Sequence, residues 1–509
     1  MIYHGREIHD DLRIKADAVI IGTGAGGAPM GARLAEAGLK VVLLERGGFY
    51  TAKDFTQLED EMGAKIGGER SLLTSRDGSM AFTFTWCVGG STVHYWADHF
   101  RTPDDRMKRW ETQHGVQGMN ADTMAPFFSE AERMLNVHVA DEAHRNRNNQ
   151  LIRKGTEAMG YGGEWVTQAR KDCLGCGFCM EGCAYNRKQS MLVTFVPRAL
   201  RAGADIYSDA KVEKVLTANG RVTGVEGVLL DRATLQPLHA LRVEAKFVIL
   251  AGGALGSPVV WLRSKLPDPG GWAGKNLFVN PGIAVHGLFD EFVDYHTNIP
   301  TSYAVKGFRL AKKDGDRYLE GGYLMLSNQL LPGYTAAMSP GLGPVMRKFM
   351  DSFRHIGGVY SVVDDEEPGE IRLEEGLPVY EYRVRGVDLL KCKDYLVKSS
   401  AILLAAGARE VVIPDHEATV IRDEKELKRF EADYEVRPNS ILMAGPHPMG
   451  TLRMGGRPED SVVNSQGEAW AVKGLYVADA SIFPTSISVD PAASIMSRSL
   501  MTAENLLKA

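Results

Sequence analysis

One short stretch restricts the fold of this chain more than any other. Residues 17–21 (DAVII) are apolar, Gly22-Thr-Gly24-Ala-Gly26-Gly27 follows, an alanine-rich segment runs to Gly38, and KVVLLE occupies 40–45. Strand, tight turn, helix and strand in that order make a βαβ unit. In G-x-G-x-x-G the first glycine (Gly22) permits the turn and the second (Gly24) lets a pyrophosphate approach the backbone. The third (Gly27) lets the helix pack on the strand, with the phosphates at the helix N-terminus. Glu45 ends the second strand, where an acidic side chain accepts hydrogen bonds from a ribose. The motif predicts dinucleotide binding and leaves open whether the ligand is NAD or FAD.

The rest of the chain changes texture twice. Residues 104–160 read as mainly helical, with amphipathic spacing over Phe127–Leu135, and a second helix-like stretch ends at Ala202. Strands are expected over 205–250, ending in KFVILAGGA. The apolar run Phe247–Leu262 is broken by Gly252, Gly253, Gly256, Ser257 and Pro258, and reads as a buried strand followed by a turn. Residues 285–440 mix β-rich runs (GGYLML, EIRLEE, VYEYRV) with one long helical pattern near 386–408, and glycine-rich texture returns from 440. This organisation divides the chain into residues 1–284, an inserted unit over 285–440, and a final part over 441–509. With 509 residues there is material for two or more domains.

Charge and hydropathy remove several classes of function. A net charge of −5 with scattered Lys and Arg argues against a nucleic-acid partner. No apolar run reaches the ~18 residues a membrane span needs. Residues Met1–Lys15 lack the apolar segment of a secretory signal, so the expected location is cytoplasmic, or periplasmic if a signal-bearing partner carries the chain across.

Further segments point to a family. Residues 88–92 read VGGST, followed by Val93, His94 and Tyr95; GGALGSP occupies 252–258; HPMGTLRMG occupies 447–455; and GLYVADASIFPTSISVDP occupies 474–491. In order and spacing, along nearly the whole chain, these resemble the glucose-methanol-choline (GMC) oxidoreductases. The resemblance implies an α/β fold (α+β overall): a Rossmann-like FAD-binding domain with an inserted substrate domain of β-sheet and helices. It also implies FAD rather than NAD. Gly22, Gly24, Gly27 and Glu45 would hold the ADP half, and Val212 would meet the adenine by backbone contact. Gly89, Gly90 and Ser91 would line the flavin ring, and Asp479 and Ala480 would approach the pyrophosphate and ribityl chain. His94 stands where familiar members carry asparagine. It would pack against the flavin's ring edge or, as in a few relatives, attach the flavin covalently.

The implied reaction is oxidation of an alcohol or sugar hydroxyl. Hydride leaves carbon for flavin N5, so a base must take the hydroxyl proton, and histidine suits that role. His447 matches the family's catalytic histidine. The second active-site residue is usually Asn or His, whereas here Asp490 precedes Pro491. A carboxylate there could favour the charged imidazole, orient its ring or bind a substrate hydroxyl. Turned away, it would cap the following helix.

Cys173, Cys176, Cys179 and Cys183, inside the segment 170–190, give C-x2-C-x2-C-x3-C. This spacing points to an iron–sulfur cluster: [4Fe-4S] if Cys183 is a ligand, [3Fe-4S] if three cysteines suffice. A zinc site is the competing reading. Some bacterial dehydrogenases of the GMC family carry a cluster in an inserted cysteine segment of different spacing. Cys87 and Cys392 read as ordinary buried thiols. A cluster would pass electrons singly to a cytochrome c or quinone, with a small accessory subunit as a further expected partner. The alternatives are an alcohol oxidase that uses dioxygen and a non-catalytic flavin-binding assembly subunit. Within 285–440, Tyr303, Tyr323 and Tyr360 are candidates for lining a substrate pocket or filling the core.

Overall fold

The computed structural model describes residues 1–71 and 73–508. Segments from almost the full length of the chain build a six-stranded sheet. In spatial order its strands are Ile2–His4, Asp205–Ser208, Val41–Leu44, Ala18–Ile21, Phe247–Leu250 and Leu475–Val477. All neighbouring pairs run parallel. A parallel sheet is covered on both faces, so its strands are apolar throughout rather than alternating. AVII at 18–21 and VVLL at 41–44 are buried at every position. Each such Val, Ile or Leu stabilises the fold by about 1.5–3 kcal/mol. The helix Gly27–Glu36 packs against Phe195–Arg201 and Ala492–Lys508, closing one face. The register aligns Ile21 with Leu44 and Leu250, and Leu250 with Val477. The loops after these strands therefore leave the same edge together.

A four-stranded sheet, Ala210–Ala218, Arg221–Leu230, Pro237–Glu244 and Leu12–Lys15, lies beside this unit. A larger sheet of seven strands runs Val420–Ile421, Glu410–Val412, Ala284–Leu288, Ile356–Val363, Tyr323–Ser327, Tyr303–Val305 and Gly163–Trp165. The long helical pattern is the helix Val387–Ala406, which ends on the left-handed Gly407 (φ 107°) and covers this sheet together with Arg147–Ala158. Residues 147–165 of the first segment thus pack with the seven-stranded sheet. No helix among the described residues is long and apolar enough to cross a membrane.

One expectation needs correction. The glycines after Leu250 do not end in a turn; a helix spans Gly253–Arg263 with Pro258 inside it. Proline removes the N–H that would bond to the carbonyl four residues back. That carbonyl, Ala254 O, accepts instead from Thr451 Oγ1 at 2.8 Å. A distant side chain repairs the helix.

Candidate active site

Close backbone contact builds the first part of the site. Gly22 has φ +104°, and a Cβ there would lie 2.3 Å from Ala251 O. A Cβ on Gly26 would lie 1.7 Å from Ala478 O, and one on Gly27 would lie 2.0 Å from Gly22 O. Three strand ends therefore meet at a point that only glycine allows. Gly24 instead has open space, its nearest neighbour being Gly90 Cα at 3.6 Å from a built Cβ. The backbone N–H groups of residues 24–27 donate to no acceptor among the described residues. Free donors at a helix N-terminus, with no side chains in the way, fit a pyrophosphate.

Glu45 is buried and fixed. Its Oε2 accepts from Thr23 N (3.1 Å) and Thr23 Oγ1 (2.7 Å), and its Oε1 accepts from Gly47 N (3.0 Å). Burial pushes its carboxyl above the usual range. Thr23 Oγ1 also accepts from Gly89 N at 3.1 Å, tying the first glycine loop to the second. Gly89 and Gly90 have φ of +100° and +56°, and Ser91 Oγ accepts from Thr85 N. Val212 sits beside a β-bulge, on a strand whose first residue, Ala210, donates its N–H to Glu45 O at 2.8 Å.

Asp479 holds the third loop to the same edge. Oδ2 accepts from Gly253 N (2.8 Å) and Ser257 Oγ (2.5 Å), while Oδ1 accepts from Ser481 N (2.8 Å) and Ser481 Oγ (2.5 Å). Burial raises this carboxyl too. Ala480 O accepts from Gly450 N at 3.1 Å, which joins the HPMG segment to this loop. The same segment is strapped on its other side: His447 N donates to Val279 O (3.2 Å) and Met449 N to Phe278 O (2.8 Å).

His447 and Asp490 come together at the end of this framework. His447 Nε2 lies 2.9 Å from Asp490 Oδ1, each side chain 14% exposed. His447 Nδ1 and Asp490 Oδ2 are buried and have no protein partner. The Asp490 carboxylate faces the imidazole, not the N-terminus of the helix Ala492–Lys508. Around the pair lie buried Asp98 and Tyr360, both sensing the Asp490 charge. The Tyr360 ring meets Trp96 edge-on at 5.6 Å. Tyr303 and Tyr323 are core residues of the seven-stranded sheet.

The cysteine segment touches the second glycine loop. Cys173, Cys176, Cys179 and Cys183 line one recess, and none forms a disulfide. No group of three or more His, Cys, Asp or Glu side chains among the described residues is gathered around a single-ion position. Two buried cations face the recess. Arg170 Nη1 lies 3.3 Å from Cys179 Sγ and 3.9 Å from Cys173 Sγ. Burial alone would lower the Arg170 pKa, but these sulfurs raise it. Lys188 Nζ donates to Cys179 O (2.5 Å), Val93 O (2.6 Å) and Tyr95 O (3.1 Å); burial lowers its pKa to about 8. Arg187 N and Lys188 N donate to Cys183 Sγ at 3.2 and 3.4 Å and hold that thiol low against burial. His94 Nδ1 donates to Met180 O at 2.9 Å, and burial followed by the Lys188 charge pushes the ring down to about 4. The buried cations and backbone N–H donors around the cysteines suit a group that carries negative charge.

Motif reading did not anticipate Thr23, Asp98, Arg170, Lys188 or Ser257. Only Thr23 and Ser257 carried a signal, the first standing between two motif glycines and the second inside the GGALGSP segment. Cys87 and Cys392 are buried, and burial raises the Cys87 thiol to about 12.

The GMC oxidoreductase family models match residues 17–282 and 365–498. The chain is 30% identical over 494 residues to an uncharacterised GMC-type oxidoreductase of Mycobacterium tuberculosis, covering 96% of this chain and 75% of that one. It is 27% identical over 519 residues to the long-chain-alcohol oxidase FAO3 of Arabidopsis thaliana, covering 98% and 69%. The crystal structure of pyridoxine 4-oxidase from Mesorbium loti superposes with a TM-score of 0.71 at 18% identity, covering 97% of this chain and 99% of that one, a likeness of fold. With both halves of the family matched over the segments that build the cradle and the His447 loop, this chain belongs to the GMC oxidoreductases, FAD-dependent enzymes acting on CH–OH donors.

Proposed function

We propose that the protein is an alcohol dehydrogenase in which His447 is the base and electrons leave by way of the cysteine segment. The observation that carries this reading is the His447–Asp490 pair at 2.9 Å, stitched by Gly450 to the Asp479–Ala480 loop of the dinucleotide cradle. Gly22, Gly24, Gly27, Glu45, Val212, Asp479 and Ala480 would hold the FAD, with Gly89, Gly90, Ser91 and His94 toward its ring. When bound, FAD supplies the hydride acceptor.

The residues of the chain govern the proton. The substrate hydroxyl docks against the imidazole of His447, which takes the O–H proton as the carbonyl forms. The Asp490 carboxylate then faces a positive imidazolium at hydrogen-bond distance and stabilises it. Buried Tyr360, backed edge-on by Trp96, lies near Asp490, and the low polarity of such a surrounding strengthens that charge interaction. In His447→Ala, FAD content is expected to stay normal while anaerobic flavin reduction by alcohol slows about 10²–10⁴-fold. Stopped-flow absorbance reads this directly, and wild-type rates in the variant would refute the assignment of the base.

Cys173, Cys176, Cys179 and Cys183 would hold an iron–sulfur cluster, which supplies one-electron transfer. Support comes from the spacing, the shared recess and the two buried cations. Lys188 bonds Val93 and Tyr95 on the flavin-side loop as well as Cys179, so the two loops form one packed unit. Leu174 and Tyr185, 59% and 47% exposed, flank the recess on the outer face, where a cytochrome, a quinone or a small accessory subunit would meet it. The Arabidopsis relative, a long-chain-alcohol oxidase, favours a second reading in which dioxygen is the acceptor. It also makes a long-chain alcohol the first substrate to test.

A further inference from the structure

The imidazole of His447 is not the end of the buried polar chain. Behind Asp490 lies Asp98, only 5% exposed, whose side chain is within hydrogen-bond reach of the Asp490 carboxyl. Asp98 Oδ2 and Asp490 Oδ2 are both buried, and neither accepts a hydrogen bond. Two carboxylates in contact away from water cannot both be charged; a proton held by one gives both a partner.

The backbone fixes Asp98 in this place. Ala97 has φ +72°, Ala97 O accepts from Ala169 N at 2.7 Å, and His99 N donates to Thr167 O at 2.9 Å. Asp98 bridges Gln168 across this antiparallel pair. The charged or titratable groups facing Asp98 are Asp490, Arg170 and Tyr95; those facing Asp490 are His447 and Tyr360. A backbone N–H and, less strongly, Arg170 oppose protonation, and the Arg170 guanidinium also answers the Cys179 and Cys173 sulfurs. Burial first, then the Asp490 charge and hydrogen bond, hold the Asp98 carboxyl well above the usual carboxylate range.

We infer that Asp98 is a positioning residue: it remains protonated and donates a hydrogen bond to Asp490, holding that carboxylate as a single negative charge against Nε2 of His447. The inference rests on the proposed role of His447. It explains how the Asp490 carboxylate stays turned toward the imidazole. Asp98 keeps its proton through the reaction; the proton from the alcohol goes to His447 alone.

The test uses FAD-loaded wild type, Asp98→Asn and Asp98→Leu. Asparagine keeps an N–H donor at the same place, and leucine removes it. With 1-dodecanol as the probe, flavin reduction in Asp98→Leu is expected to fall about tenfold or more. The loss should appear in the limiting rate rather than in the half-saturating alcohol concentration, and Asp98→Asn should recover most of it. A second measurement needs no substrate. The infrared difference between wild type and Asp98→Asn at neutral pH should contain the carbonyl stretch of a protonated carboxyl, shifted in D₂O. An Asp98→Asn variant as slow as Asp98→Leu, or a difference spectrum without that band, overturns the inference. If no alcohol bleaches the wild-type flavin, the dehydrogenase reading fails on its own, and the infrared band still decides the state of Asp98.

Discussion

At the scale of single residues the site is a problem in handling one proton beside buried charge. The imidazole of His447 has a carboxylate at 2.9 Å, so under the proposed role transfer of the hydroxyl proton to it would create an ion pair rather than an isolated buried cation. Replacing Asp490 by asparagine keeps the shape and removes that charge. Flavin reduction in this variant should slow about 10–100-fold with FAD still bound, a loss of roughly 1.4–2.7 kcal/mol of transition-state stabilisation. A wild-type rate measured by anaerobic stopped flow would mean that the carboxylate does not serve the base. His447 and Asp490 were legible because each opens or closes a recognisable motif. Asp98 and Arg170 were not: no spacing links residue 98 to residue 490, and burial of an acid is a property of packing rather than of local pattern.

Among the elements, the parallel strands were the easiest to read. Strands covered on both faces announce themselves as runs such as AVII and VVLL, and the glycine turn between them has few uses. Gly163–Trp165 was invisible because three residues with one glycine and one glutamate carry no alternation; the neighbouring strand Tyr303–Val305 recruits them. The helix Gly253–Arg263 was hidden by Pro258, whose missing bond is repaired by Thr451. The tight crossing of elements is open to test at Gly26. A methyl group there would sit 1.7 Å from Ala478 O, so the helix Gly27–Glu36 must move away from the loop that carries Asp479. Gly26→Ala should purify with little FAD and be destabilised by about 3 kcal/mol or more. Full FAD content and an unchanged melting temperature would contradict the account of the cradle.

For the whole molecule, the important fact is convergence. The first 45 residues, the loop at 88–95, the cysteine segment, the strand Phe247–Leu250 and the last 65 residues all supply parts of one region. A sequence read locally recovers the parts, and the family resemblance supplies their assembly. Neither reveals that Lys188 ties the cysteine loop to the loop at 88–95, because that contact depends on three backbone carbonyls brought together by the fold. The central claim is that alcohol oxidation and electron exit through the cysteine recess belong to one machine. It is tested most directly by adding 1-dodecanol anaerobically to the FAD-loaded protein while recording visible absorbance and electron paramagnetic resonance together. The account predicts about three or four iron atoms per chain, bleaching of the flavin, and a change in a cluster signal in the same sample. An iron-free protein whose flavin bleaches, and which in air forms one hydrogen peroxide for each alcohol consumed, would contradict it.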